Sequence, residues 1–181
     1  MSDASAGDAS GDAARASVTV RLARREEAAA LAAVIRDAFV TEQLVYGDIP
    51  PLHETAADVE ASFDAGEITL AAELDHVLVG TVRGETIADG SVMVRRLAVL
   101  VEARGRGVAR QLMSALEAAY PDAPRFELFT GDLNHAALGL YEAVGYTRCG
   151  ADVVGNGITV VVLQKLRAYT LRVRAIPLSA L

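Results

Sequence analysis

The stretch RRLAVLVEARGRGVARQLMSALEAAY, residues 95–120, decides the fold. It begins as an apolar run typical of a buried strand and ends with the spacing of a helix. Between them lie Arg104, Gly105, Arg106 and Gly107, where the glycines allow a sharp turn and a close approach by a ligand. The first amide N–H groups of a helix lack carbonyl partners and carry the positive end of its dipole. This corner is therefore predicted to bind an anion such as a phosphate.

The sequence of this corner matches neither of two common phosphate-binding motifs. A P-loop needs Gly-Lys-Ser/Thr after four intervening residues, which the chain lacks, and a dinucleotide fingerprint needs a third glycine where Arg110 stands. The alternative without a ligand stays open. In that interpretation the glycines only permit a tight turn and the arginines are solvated.

Composition limits the kinds of partner. The 181 residues are 52% hydrophobic and 23% charged, which suits one globular domain. With 24 acidic against 17 basic residues the net charge is −7, which argues against nucleic acid and against an anionic membrane surface. The single cysteine, Cys149, excludes an internal disulfide. His53, His76 and His135 are too dispersed to predict a metal site.

The ends of the chain differ from its centre. Residues 1–17 are small and polar, and are predicted to form a disordered tail. The domain is placed at 18–168, and 169–181 is a C-terminal extension whose alternating TLRVRAI suits an extra edge strand or a contact with another subunit. No apolar segment approaches the roughly 20 residues that span a bilayer, and the amino terminus lacks a secretion signal, so a cytoplasmic protein is predicted.

The predicted elements follow the order βααβββαβαββ, an α/β fold with a mixed sheet. The predicted strands are 18–22, 67–74, 77–87, 91–101, 125–131, 146–154 and 158–166, and the helices are 25–39, 55–66, 107–120 and 135–145, with a loop over 40–54. A helix joins the strands at 91–101 and 125–131, so these two are predicted to be parallel neighbours.

Two blocks resemble the GNAT superfamily of N-acetyltransferases. RLAVLVEA followed by Arg104-x-x-Gly107-x-Ala109 is similar to the signature (Gln/Arg)-x-x-Gly-x-(Gly/Ala). NHAALGLYEAVGY, residues 134–146, is similar to Asn-x-x-Ala-x-x-Leu-Tyr-Glu-x-x-Gly-(Phe/Tyr). The strand order fits the family from about residue 18 to 166. Val101 is a departure, because the family often has proline there.

The resemblance implies acetyl-CoA as co-substrate. Main-chain amides at the corner would hold its pyrophosphate, and a splayed parallel strand pair would admit its pantetheine. The amide of Val99 would donate to the thioester oxygen as it gains negative charge. The implied cofactor-binding residues are Leu97, Val99, Arg104, Gly105, Arg106, Gly107, Val108, Ala109, Asn134 and Tyr141.

The same resemblance makes Tyr141 a candidate catalytic residue. A phenol is protonated at neutral pH and can donate to the departing CoA thiolate. The alternative is that Tyr141 is an apolar-face residue beside Leu138. Asn134, two helical turns earlier, either contacts the cofactor or only caps the helix.

The acceptor amine must lose a proton before it attacks, so a base is needed. Glu85 is the first candidate and Glu54 a weaker one, although neither carries a positional signature. Cys149 lacks a nearby basic partner and is not expected to carry an acyl group. The predicted function is N-acetylation of a primary amine on a small molecule or peptide, by direct attack in a ternary complex. A non-catalytic acyl-CoA-binding or regulatory module is the alternative. The fold also allows a homodimer, but no segment identifies an interface.

Overall fold

The computed structural model describes residues 17–155 and 157–167. Most of the predicted tail at 1–17 and the whole extension at 169–181 lie outside these residues. The helices and strands are β1 (Val18–Leu22), α1 (Ala28–Tyr46), α2 (Ala56–Asp64), β2 (Ile68–Leu74), β3 (Val77–Thr86), β4 (Val92–Val99), α3 (Val108–Ala119), β5 (Arg125–Gly131), α4 (His135–Ala143), β6 (Thr147–Val154) and β7 (Ile158–Leu166). The predicted order is confirmed. None of the described helices is long and apolar enough to cross a membrane.

The strands form a seven-stranded mixed sheet in the order β1-β2-β3-β4-β5-β7-β6. Every neighbouring pair is antiparallel except β4 and β5, which are parallel as predicted. The hairpin between β2 and β3 turns at Asp75 and His76, which both have positive φ. This is the geometry of a two-residue hairpin turn, at the two positions that lie between the predicted strands 67–74 and 77–87.

The two faces of the sheet are covered by different helices. The face under α3 and α4 carries the largest apolar cluster, with Leu112, Leu116 and Phe126 fully or almost fully buried. The face under α1 and α2 carries two smaller clusters. Helix α2 begins as predicted at Thr55, whose hydroxyl accepts a hydrogen bond from the amide of Asp58 while the Asp58 carboxylate bonds back to the Thr55 amide.

Helix α1 is longer than predicted. The sequence was divided at residue 39, but the helix continues to Tyr46 and ends where Gly47 has a φ of 72°. No glycine or proline interrupts 40–46, so nothing in the local chemistry stops the helix earlier. The predicted loop at 40–54 is therefore reduced to the segment after Gly47. The last turns of α1, which lie in this longer part of the helix, reach the site described below.

Candidate active site

The parallel strands β4 and β5 separate soon after they begin. Their Cα pairing covers only Val92 with Phe126 and Met93 with Glu127, and beyond these residues they diverge. Leu100 donates its amide to Val79 on the β3 side, so the main-chain groups of Val99 point away from β3 and into the gap. The gap thus presents backbone groups that a ligand rich in amides could satisfy.

A bulge in β4 lies beside this gap. Thr81 of β3 pairs with Ala98 and Arg83 pairs with Arg95, so one residue of β3 faces two of β4, Arg96 and Leu97. Arg96 has a φ of 54°, which is unusual for a residue other than glycine. The bulge changes the alternation of the strand. Arg96 consequently reaches Glu54, near the start of α2, while Leu97 packs against the cluster under α3.

The predicted anion-binding corner has the expected backbone geometry. Gly105 and Gly107 have φ values of 76° and 81°, and no protein atom lies within 4 Å of the position that a Cβ would take on either residue. Helix α3 begins directly after Gly107, and the first helical hydrogen bond of the new turn runs from Gln111 to the Gly107 carbonyl. The amides of Val108 and Ala109 therefore lack helical partners, and both residues line the cavity described below.

The two arginines of the corner differ in placement. Arg104 donates from Nη2 to the carbonyl of Ala38 at 2.9 Å and from Nε to the carbonyl of Val99 at 3.3 Å. Its guanidinium is thus turned towards α1 and bridges that helix to the end of β4. Arg106 is exposed and does not line the cavity described next.

A cavity of about 1360 Å³ joins the corner, the gap and the last turns of α1. Of the cofactor-binding residues predicted from the sequence, it is lined by Leu97, Val99, Arg104, Gly105, Gly107, Val108, Ala109, Asn134 and Tyr141. Residues of α1 and the following loop, among them Glu42, Tyr46 and Asp48, line it from the other face of the sheet.

Tyr141 and Asn134 project from α4 into this cavity. Tyr141 is almost fully buried, and burial, together with the negative charge of Glu42, raises the pKa of its hydroxyl well above the usual value. Asn134 caps α4, because its side-chain oxygen accepts from the Ala137 amide at 3.0 Å. Its Nδ2 donates to Oε1 of Glu42, also at 3.0 Å.

The structure does not bring either predicted base to the cavity. Glu85 pairs with Met93 at the opposite end of β4, and its carboxylate is bonded to Arg95 at 2.8 Å. Glu54 is buried, with Oε1 bonded to Arg83 at 2.8 Å and Oε2 to Arg96 at 2.7 Å. Both of its oxygens are occupied by guanidinium groups, so it is poorly suited to accept a proton.

Glu42 was not among the site residues predicted from the sequence. Burial raises the pKa of this carboxyl, against the opposing effects of the charge of Arg104 and the hydrogen bond from Asn134. The signal was hidden because residues 40–46 were predicted to be loop. On the helix that forms instead, Glu42 and Tyr46 lie four residues apart on one face.

Comparison with known proteins gives this cavity its context. The sequence model of the Acetyltransferase (GNAT) family matches residues 32–146, which includes most of α1, the bulged strand, the anion-binding corner and α4. The chain belongs to the GNAT acetyltransferase family. It is thus an N-acetyltransferase, and its strand order, parallel pair and corner are those that the sequence blocks implied.

Solved structures of other acetyltransferases share the fold. YncA from Salmonella typhimurium, with its cofactor acetyl-CoA, is 20% identical with a TM-score of 0.66, covering 84% of this chain and 96% of its own. PaiA N-acetyltransferase from Thermoplasma acidophilum, in complex with coenzyme A, is 15% identical with a TM-score of 0.70, covering 83% and 99%. Ribosomal-protein-alanine N-acetyltransferase from Brucella melitensis is 19% identical with a TM-score of 0.66, covering 82% and 99%.

Proposed function

We propose that this GNAT acetyltransferase moves an acetyl group from acetyl-CoA to a primary amine by direct attack in a ternary complex. The observation that carries the proposal is the single cavity that runs from the α3 corner, along the open edge of β4, to the α1 side of the sheet. Its two ends differ in chemistry, which suits one cofactor and one acceptor bound together. The complexes of YncA with acetyl-CoA and of PaiA with coenzyme A support the choice of donor.

The corner suits the pyrophosphate of the cofactor. In the proposed complex the amides of Val108 and Ala109 bind the phosphate oxygens, and Gly105 and Gly107 leave the room for them to approach. Pantetheine lies along the gap, where it pairs with the main-chain groups of Val99. To do so it displaces the Arg104 side chain from the Val99 carbonyl, or shares that carbonyl with it.

Tyr141 is proposed to stabilise the leaving group. Because its pKa is raised above the ordinary value of about 10, the hydroxyl stays protonated at neutral pH. A CoA thiol resembles a cysteine, with a pKa of about 8.5, so full transfer of the phenolic proton to the thiolate is unfavourable. The hydroxyl therefore acts chiefly by donating a hydrogen bond to the departing sulfur.

Two measurements test the proposal. Saturating acetyl-CoA at about 100 times Kd should stabilise the protein by about 2.7 kcal/mol in a thermal-shift experiment. A CoA-release assay over a panel of small amines and peptides should then show turnover. Ligand binding without CoA release for any amine would instead support a non-catalytic acyl-CoA-binding module, and absence of a thermal shift would contradict the cofactor site itself.

Replacement of Tyr141 by phenylalanine tests its role. We expect kcat to fall more than the KM for acetyl-CoA rises, because the hydrogen bond is made mainly to the developing thiolate. Tyr146→Phe is the matched control: its ring lies 6.0 Å from that of Tyr141, but it does not line the cavity. Equal kcat values for the Tyr141 variant and the wild type would remove Tyr141 from the mechanism.

A further inference from the structure

Two carboxylates line the cavity in the described part of the chain, those of Glu42 and Asp48. They differ in surroundings. Asp48 is exposed, with a side-chain exposure of 68%, and is bonded to His53 at 2.5 Å. Glu42 is partly buried in the last turns of α1 and faces the gap between the parallel strands. Of the two, Glu42 is the one held inside the cavity.

Glu42 reaches the gap from the opposite face of the sheet to Tyr141. Helix α1 covers one face and α4 the other, and they meet where β4 and β5 have separated. The hydrogen bond from Asn134 to Glu42 crosses the sheet at this opening. A second crossing bond runs from the amide of Leu133 to the hydroxyl of Tyr46, at 2.8 Å. The carboxylate of Glu42 and the phenol of Tyr141 thus flank the opening from its two sides.

We propose that Glu42 is the general base of the reaction and accepts the proton that the acceptor ammonium must lose before it attacks the thioester. This inference rests on the proposed function, because it assigns a role within that reaction. The geometry behind it is the pairing across the gap, with Glu42 on the α1 side and Tyr141 on the α4 side. An acetyl group that lay along the edge of β4 would lie between them.

The electrostatic surroundings suit a base. Burial raises the pKa of Glu42, which makes its carboxylate a better proton acceptor than an exposed glutamate. The charged and titratable groups that act on it are Arg104, which lowers this pKa, and the phenols of Tyr46 and Tyr141, whose own pKa values its charge raises. Arg104 opposes this shift, because its positive charge favours the ionised form of the carboxylate.

The proposed step balances in atoms and charge. The ammonium passes one proton to the Glu42 carboxylate, and the freed lone pair attacks the thioester carbon to form the new N–C bond. The C–S bond breaks with its electrons going to sulfur, which the Tyr141 hydroxyl stabilises. The second nitrogen proton ends on sulfur to give the CoA thiol, and Glu42 releases its proton to water. The products are the amide, CoA and one proton.

Glu42→Gln is the decisive variant. Glutamine keeps the side-chain oxygen that accepts from Asn134, so the bridge between α1 and α4 can persist. With an alkylamine that the wild type acetylates, we expect kcat to fall about 10²–10⁴-fold, and the KM for acetyl-CoA to stay within about twofold. The fall of kcat/KM on the acid side of the wild-type pH profile should lose the contribution of this carboxyl. Glu42→Asp should recover part of the activity.

The matched control is Asp37→Asn, which removes one negative charge from the exposed surface of the same helix outside the cavity. A second arm replaces the alkylamine by hydroxylamine, which is neutral at neutral pH and needs no first deprotonation. After subtraction of the uncatalysed reaction, the loss in Glu42→Gln should be much smaller with hydroxylamine. A structural role would give equal losses with both acceptors.

The outcomes separate this inference from the proposed function. If none of the amines tested makes the wild type release CoA, the proposed function fails and the base assignment fails with it. If the wild type turns over and Glu42→Gln keeps its kcat and pH profile, the assignment to Glu42 is wrong while the function stands. Equal losses with the alkylamine and hydroxylamine also overturn the assignment. Thermal unfolding of each variant excludes loss of fold as the cause.

Discussion

Replacing Glu54 by alanine is expected to lower the free energy of unfolding by about 3–5 kcal/mol. The Glu54 side chain is only 3% exposed and bonds two guanidinium groups, Arg83 at 2.8 Å and Arg96 at 2.7 Å. Arg83 is itself 9% exposed, so removal of the carboxylate leaves its charge buried with little access to water. Arg96 is 28% exposed and can be partly hydrated, which favours the lower end of the range.

The assay is urea unfolding followed by circular dichroism. With a slope near 2 kcal/mol per molar urea, a loss of this size moves the midpoint by roughly 2 M without changing the slope. Glu85→Ala is the matched control, because it removes a carboxylate bonded to an arginine at the same 2.8 Å in the same strand pair. Its side chain is 37% exposed and that of Arg95 is 46% exposed, so we expect less than about 1 kcal/mol.

The two variants differ in burial and in the number of guanidinium groups bonded, two for Glu54 and one for Glu85, while the distances and residue types are matched. Similar losses in the two variants would contradict the argument that desolvation of the remaining charges sets the cost. A loss below about 1 kcal/mol for Glu54→Ala would mean that Arg83 finds another partner. Glu67 is the nearest candidate, with an oxygen 3.6 Å from Arg83 Nε. A double-mutant cycle with Arg83 would then measure the remaining coupling.

Three further predictions concern the corner, helix α4 and the edge of the sheet. Gly107→Ala should destabilise the fold by about 1–2 kcal/mol in thermal unfolding, because its φ of 81° is strained for any residue with a Cβ, and should weaken acetyl-CoA binding in calorimetry. Gly139→Ala, within α4 and also without close neighbours, should instead stabilise by about 0.5–1 kcal/mol. Glu27, bonded to Arg21, has its pKa lowered to about 2, so its contribution to stability is complete above about pH 4.5 and is lost as the pH falls towards 2. The free energy of unfolding should therefore change less between pH 7 and pH 3 in Arg21→Gln than in the wild type.

Much of the fold follows from local sequence patterns. The strands at 125–131 and 158–166 are bounded by glycine, proline and acidic turns, and the structure ends them at the predicted residues. The α3 corner is equally local, because two glycines and a helix start define it wherever the sheet lies. The parallel pairing of β4 and β5 followed from the helix that joins them.

The rest of the candidate site depends on contacts between distant residues. Glu85 was the first candidate base, but the antiparallel register with β4 places it away from the gap. Glu42 looked like part of a loop. Its importance arises from Asn134, which lies 92 positions further along the chain. Neither the register nor this contact has a local signature.

The placement of the arginines along β4 explains why the acidic residues divide as they do. Ordinary alternation already turns Arg95 to the α2 face, where it bonds Glu85, and a regular strand would then turn Arg96 towards the α3 face. The extra residue turns Arg96 towards α2 instead. Both predicted bases are consequently paired with arginines on that face. Glu42 lies over the gap, where β4 has no neighbour on its β5 side and the cavity is open. The same separation of strands that could admit a cofactor therefore also places the Glu42 carboxylate where the proposed acceptor would bind.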